Sequence, residues 1–140
     1  MKAKEKNFED IMIGDVASFE RVVTNDDLVK FADISGDYNP LHLDENYAAQ
    51  TKFKGRVVYG MFLAALVSRL VGMELPGKKA LLLKESMEFK KPARIGDKLL
   101  VKGKVVHKSQ VGSLVELLVE ISNDQELLAI GSIKVQILNK

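Results

Sequence analysis

The chain has 140 residues, 46% of them apolar, and 21 Lys and Arg against 19 Asp and Glu for a net charge of +2. That length and apolar share can bury a full core, so residues 1–140 read as a single domain. The mixed charges exclude a nucleic-acid footprint, and the lack of cysteine excludes disulfides, thiolate metal sites and a Cys nucleophile.

The opening MKAKEKNFED has no apolar segment, so no signal peptide is expected and a cytoplasmic location follows by default. Residues 1–7 read as a frayed tail. Ile11-Met12-Ile13-Gly14-Asp15 is a turn into a strand over residues 16–24, in which Phe19, Arg21 and Val23 alternate with their neighbours. Thr24-Asn25-Asp26-Asp27 then starts a helix, with Thr24 as N-cap and acids in the first turn. Leu28, Phe31, Ala32 and Ser35 keep helical spacing, and Gly36 ends the element as a C-terminal cap would. In the loop that follows, Pro40 pushes Asn39 out of the helical region. Leu41-His42-Leu43 is predicted to be a short extended bridge. Asp44 caps a brief helix to about Gln50, and residues 51–56 form a basic loop.

Residues 57–71, VVYGMFLAALVSRLV, carry only Ser68 and Arg69 as polar side chains after Gly60. A helix apolar on nearly every face has to be wrapped by protein or lipid. Its length, roughly 22 Å at 1.5 Å per residue, falls short of a bilayer. It is therefore predicted to be the central core helix of a soluble domain, with no membrane partner. Leu75-Pro76-Gly77 makes a turn, and four strand-like runs follow at residues 80–90, 98–108, 114–122 and 127–138. In the third run Val115, Leu117, Val119 and Ile121 share one face, with Glu116 and Glu120 on the other. Short connections favour an antiparallel meander over parallel crossovers. The expected fold class is α+β, one antiparallel sheet wrapped around one long central helix.

Two histidines differ in context. His107 ends a strand beside Lys108 and reads as structural. His42 follows Asp37 on a loop braced by Gly36 and Pro40, just ahead of the core helix. An Asp–His pair in a partly dry pocket can do general acid–base work, because imidazole titrates near neutrality and burial raises a carboxylate. The plain alternative is that Asp37 caps a turn and His42 packs beneath it. Spacing alone favours the plain alternative. As metal ligands, His42, Asp37 and Asp44 suit zinc poorly without a second histidine, so no metal is expected. Ser68 has no G-x-S-x-G around it and is no nucleophile elbow.

The stretch FADISGDYNPLHLDENYAAQTKFKGRVVYGM resembles the signature of the MaoC-like (R)-specific enoyl-CoA hydratase and dehydratase family. The likeness continues through LAALVSRLVGMELPG and KESMEFKKPARIGD, covering residues 31–97. It implies a hot-dog fold and a homodimer whose strands pair into one sheet, with active sites near the subunit interface. It implies Asp37 and His42 as the catalytic dyad holding a water, and Gly60 offering its backbone N–H to the thioester carbonyl. Ser68, Asn39 and Tyr59 would support substrate binding. The implied reaction is (R)-specific hydration of trans-2-enoyl-CoA, reversible as dehydration, with no cofactor beyond the CoA of the substrate. Either CoA or acyl-carrier protein can present the acyl thioester. Tyr59 stands where the family usually has histidine; it is expected to be a packing residue that tolerates replacement by Phe. The rival readings are a 3-hydroxyacyl-acyl-carrier-protein dehydratase, a hot-dog thioesterase and a non-catalytic acyl-thioester binding module. A thioesterase would want a carboxylate on the core helix, and residues 57–71 contain none. A pure binder would have no use for the dyad.

Overall fold

Alternation of side chains builds the sheet. In β3 (Lys98–Ser109) Leu99, Val101 and Val105 are buried between outward-facing Lys102 and Lys104. In β4 (Leu114–Ser122) Val115, Leu117, Val119 and Ile121 are buried while Glu120 is exposed. With β1 (Val16–Val22), β2 (Ala80–Phe89) and β5 (Leu127–Ile137) they form one sheet, antiparallel throughout, in the order β1-β3-β4-β5-β2. The computed structural model describes residues 1–139. This is the α+β hot-dog architecture expected, with one correction. The meander holds for β3-β4-β5, but β2 pairs with β5 at the far edge instead of with β3. Residues 90–97 join β2 to β3, a longer connection than a tight hairpin uses, and that slack carries the chain to the other side of the sheet.

The central helix α4 (Gly60–Arg69) runs on through a wider π turn, Leu70–Glu74. It begins at Gly60, inside the apolar stretch 57–71, because neighbours claim the preceding backbone. Val57 N–H donates to the Leu41 carbonyl (3.3 Å) and Val58 N–H to the Ala93 carbonyl (2.8 Å), which keeps that stretch out of the helix. Phe62, Leu63, Leu66, Val67, Leu70 and Val71 are buried in the core cluster that the sheet closes. A Cβ on Gly103 of β3 would come within 2.7 Å of Leu70, so the glycine is what lets helix and sheet approach. The helix is not covered all round: Met61, Ala65 and Ser68 form an exposed strip.

Ahead of it lies α1 (Asn25–Ser35), opened by a reciprocal cap. Thr24 Oγ1 accepts the Asp27 N–H (3.2 Å) and the Asp27 carboxylate accepts the Thr24 N–H (2.9 Å). Gly36 closes it in the left-handed conformation, φ 76°. The predicted extended bridge at Leu41-His42-Leu43 is instead a helical turn, α2 (Pro40–Leu43). Pro40 removes Asn39 from helical backbone, as expected, yet its own fixed φ suits a first helical residue. Asn39 Oδ1 caps the turn by accepting the Leu41 N–H (2.9 Å). Asp44 caps α3 (Glu45–Ala49) through the Tyr47 N–H (3.0 Å), as expected. Among the described residues no helix is long and apolar enough to cross a membrane.

Candidate active site

The imidazole of His42 is held by its surroundings in one tautomer. Its Nδ1 lies 2.8 Å from the Val57 carbonyl oxygen. A carbonyl only accepts, so Nδ1 carries the hydrogen, and the lone pair of the neutral ring sits on Nε2. Among the described residues Nε2 has no hydrogen-bond partner. The ring stacks on Tyr59 with centroids 3.9 Å apart and planes 30° from parallel. The main chain is fixed as well: the His42 carbonyl accepts from Arg56 Nε at 2.7 Å, and Arg56 reaches on to Asn25 Oδ1 at 2.9 Å.

Asp37 follows the cap of α1. One of its carboxylate oxygens accepts the Asn39 N–H (3.0 Å), and its own N–H donates to Ser35 Oγ (3.1 Å). Its carbonyl accepts the Tyr59 hydroxyl at 2.5 Å. Tyr59 therefore touches both members of the expected dyad, the ring against one and the hydroxyl on the backbone of the other. Burial pushes the Tyr59 hydroxyl above the ordinary phenol range and the negative charge of Asp37 adds to this, so it stays a protonated donor. The expectation of a shared, partly dry pocket fits half-buried His42. Asp37 is exposed on the single chain, because its loop lies beyond the end of α1.

Gly60 is the first residue of α4. The N–H groups of Phe62 and Leu63 both go to the Tyr59 carbonyl (3.1 and 3.3 Å). The Gly60 N–H has no backbone acceptor among the described residues, and it sits at the positive end of the helix. An added Cβ there would lie 3.3 Å from the Phe89 ring. His42 and Gly60 both line a cavity of about 310 Å³ whose apolar walls include Phe53, Val58, Leu63 and Phe89, with Lys90 and Lys91 also on its lining.

Of the other residues singled out in the sequence, neither Tyr59 nor Asp37 lines this cavity; Tyr59 stacks on His42, which does, and reaches Asp37 through its hydroxyl. Asn39 spends its side-chain oxygen on capping α2. Ser68 lies on the exposed strip of α4, and His107 is exposed on β3 opposite Glu116. Sequence reasoning passed over Phe53, Leu63 and Phe89 as walls, and Arg56 and Arg94 as loop holders. Apolar residues in strand and helix patterns look alike whether they face the core or a cavity. Arginines in a basic run look solvated, so no local signal separates these. Among the described residues no group of three or more His, Asp or Glu side chains is placed to hold a metal ion.

The family model for the MaoC like domain matches residues 12–126. The chain belongs to the MaoC-like domain family. Among curated proteins, this MaoC-like chain is 43% identical over 90 residues to an (R)-specific enoyl-CoA hydratase of Rhodospirillum rubrum, covering 64% of this chain and 62% of that protein. It is 40% identical over 98 residues to a 3-hydroxybutyryl-CoA dehydratase of Methylorubrum extorquens, covering 70% and 62% respectively. The match thus spans less than two thirds of the length of either relative. Among solved structures, the unliganded R-hydratase of Pseudomonas aeruginosa superposes with a TM-score of 0.92 at 29% identity, over 99% of this chain and 89% of that one.

Proposed function

We propose that this chain is a hydro-lyase that adds water to a trans-2-enoyl thioester, giving the (R)-3-hydroxyacyl thioester, and that it runs in reverse as a dehydratase. The observation that carries the reading is the hold on His42: with Nδ1 on the Val57 carbonyl its Nε2 is left without a partner, and His42 lines the same cavity as Gly60, whose N–H is free. A base and an oxyanion donor in one apolar pocket are what conjugate addition of water requires.

The steps balance on these groups. Water held between Asp37 and His42 gives a proton to Nε2 and its hydroxide to C3 of the enoyl chain. Charge moves to the thioester oxygen, where the Gly60 N–H and the helix terminus stabilise it. The imidazolium, its Nδ1–H anchored on Val57, returns the proton to C2 as the enolate collapses. Asp37 orients the water and favours the transient imidazolium. The similarity to the hydratase of Rhodospirillum rubrum and the dehydratase of Methylorubrum extorquens supports CoA as carrier.

The protein acts as a homodimer in this reading. β2 is an edge of the sheet and exposes Leu81, Leu82, Leu83 and Phe89, and α4 has an open strip of its own that begins at Met61. An apolar edge strand left bare is a liability that pairing with a second copy removes.

Crotonyl-CoA tests the reaction, with enone absorbance and free thiol followed together. Loss of the enone without thiol release is the expected result. Thiol release would make the chain a thioesterase, and no change in either would leave a binding module.

A further inference from the structure

The loop of residues 51–56 reads in the sequence as a solvated basic turn, but a single distant side chain gathers it in. Arg94, from the connection between β2 and β3, donates from Nη2 to the Phe53 carbonyl (2.7 Å) and from Nη1 to the carbonyls of Gly55 (3.0 Å) and Arg56 (3.1 Å). Arg94 is itself anchored. Its N–H donates to the Asp97 carboxylate (2.9 Å), and the carbonyl of buried Ala93 beside it accepts the Val58 N–H (2.8 Å). Three carbonyls converging on one side chain need the planar, multiply donating guanidinium; an ammonium is a point charge without that fork. Lys54 within the loop holds a left-handed backbone, φ 59°, a conformation that a free non-glycine loop rarely keeps.

What the loop carries gives this clamp a functional meaning. Phe53 is part of the cavity wall. Arg56, whose carbonyl Arg94 holds, donates through Nε to the His42 carbonyl, and the next residue, Val57, supplies the carbonyl that fixes Nδ1 of His42. Arg94 is thus two contacts from the imidazole without touching it.

We propose that Arg94 is a positioning residue of the active site: by clamping the carbonyls of Phe53, Gly55 and Arg56 it holds both the tautomer and place of His42 and one wall of the acyl cavity. The claim about turnover rests on the hydratase reading; the claim about the His42 ring does not. Arg94 acts on rate through His42, and on acyl selectivity through Phe53. A displacement of the base by about 1 Å costs up to roughly a hundredfold in rate.

The test uses Arg94→Ala and Arg94→Lys in the full chain, with Arg94→Gln held ready should the alanine variant fail to fold. Three readouts are taken: kcat and KM on crotonyl-CoA and on a longer enoyl-CoA, the nitrogen NMR signals of the His42 ring without substrate, and rescue by added guanidinium at non-denaturing concentration. Folded Arg94→Ala should lose roughly tenfold to a hundredfold in kcat and show His42 with mixed tautomers. It should also shift its preference between the two acyl chains and regain part of its kcat with guanidinium, which leaves the wild type unchanged. Arg94→Lys should fall between. Folded variants with the wild-type His42 tautomer and near wild-type kcat would overturn the proposal, as would a loss of kcat with an unchanged ring spectrum and no rescue. If the wild type does not hydrate crotonyl-CoA, the hydratase reading fails, and the ring spectra of the variants still decide the role of Arg94.

Discussion

The ring of Tyr59 lies 3.9 Å from the imidazole of His42, stacked on it, while the Tyr59 hydroxyl reaches the carbonyl of Asp37. One buried side chain thereby spaces the two groups on which the proposed chemistry depends. Its ring and its hydroxyl make separable contributions. Tyr59→Phe keeps the stack and gives up one hydrogen bond, worth about 1 kcal/mol or roughly a fivefold to tenfold change at most. Tyr59→Leu removes the flat face beneath His42 and should cost more in kcat than in KM. Steady-state kinetics of the two variants on crotonyl-CoA check this, and a loss beyond about a hundredfold in Tyr59→Phe would make the hydroxyl a catalytic participant.

Gly60 allows the oxyanion role to be separated from crowding. Gly60→Ala adds a Cβ that meets the Phe89 ring but keeps the N–H. Gly60→Pro adds the same carbon and removes the N–H. Proline is tolerated at a first helical position, and Tyr59 before it already has the extended backbone, ψ 129°, that a following proline demands. The proline variant should therefore fold and fall below the alanine variant in kcat by about 10²–10³, the measure of a lost oxyanion donor. Equal kcat in the two variants would remove Gly60 from the mechanism.

How much of this was legible in the sequence differs by element. Turn residues, with period-two alternation in β4 and β5, placed the four late strands within a residue of their observed ends. Alternation says nothing about which strand lies alongside, so the crossing of β2 to the far edge beside β5 was invisible. Pro40 carried two meanings, excluding helix from Asn39 and favouring it from Pro40 onward, and only the first was used. The GDYNPLHLD and YGM motifs singled out Asp37, His42 and Gly60, the residues on which the proposed site rests. The Tyr59 tie across 22 residues and the Arg94 clamp across about 40 have no local signature.

Asp27 should contribute stability that depends on acid. Burial alone would raise its carboxyl, but the Thr24 N–H and the Arg21 guanidinium outweigh this and hold it below the usual carboxylate range. A carboxyl depressed in the folded state stabilises at pH above its unfolded value of about 3.9 and stops doing so as pH falls through the folded value. Asp27→Asn should cost about 0.5–2 kcal/mol near neutrality, as lost caps do. Thermal melts should show the gap from wild type closing only below the unfolded carboxyl value; a gap independent of pH would count against the argument.

The proposed edge pairing of β2 predicts a concentration-dependent assembly. Sedimentation should give twice the chain mass, and Leu83→Lys, placed on the exposed edge, should shift the protein toward monomer while leaving its circular dichroism unchanged. A native chain that sediments as a monomer at micromolar concentration would refute the proposed dimer.

The most direct measurement is turnover of crotonyl-CoA by Asp37→Asn, His42→Gln and the double variant, each shown to be folded. Both substitutions preserve shape and remove proton-transfer capacity, so each single variant should lose roughly two to four orders of magnitude in kcat. The double variant should be little worse than either, because groups acting on one water are strongly non-additive. Folded single variants that both hydrate crotonyl-CoA at near wild-type rate would contradict the account.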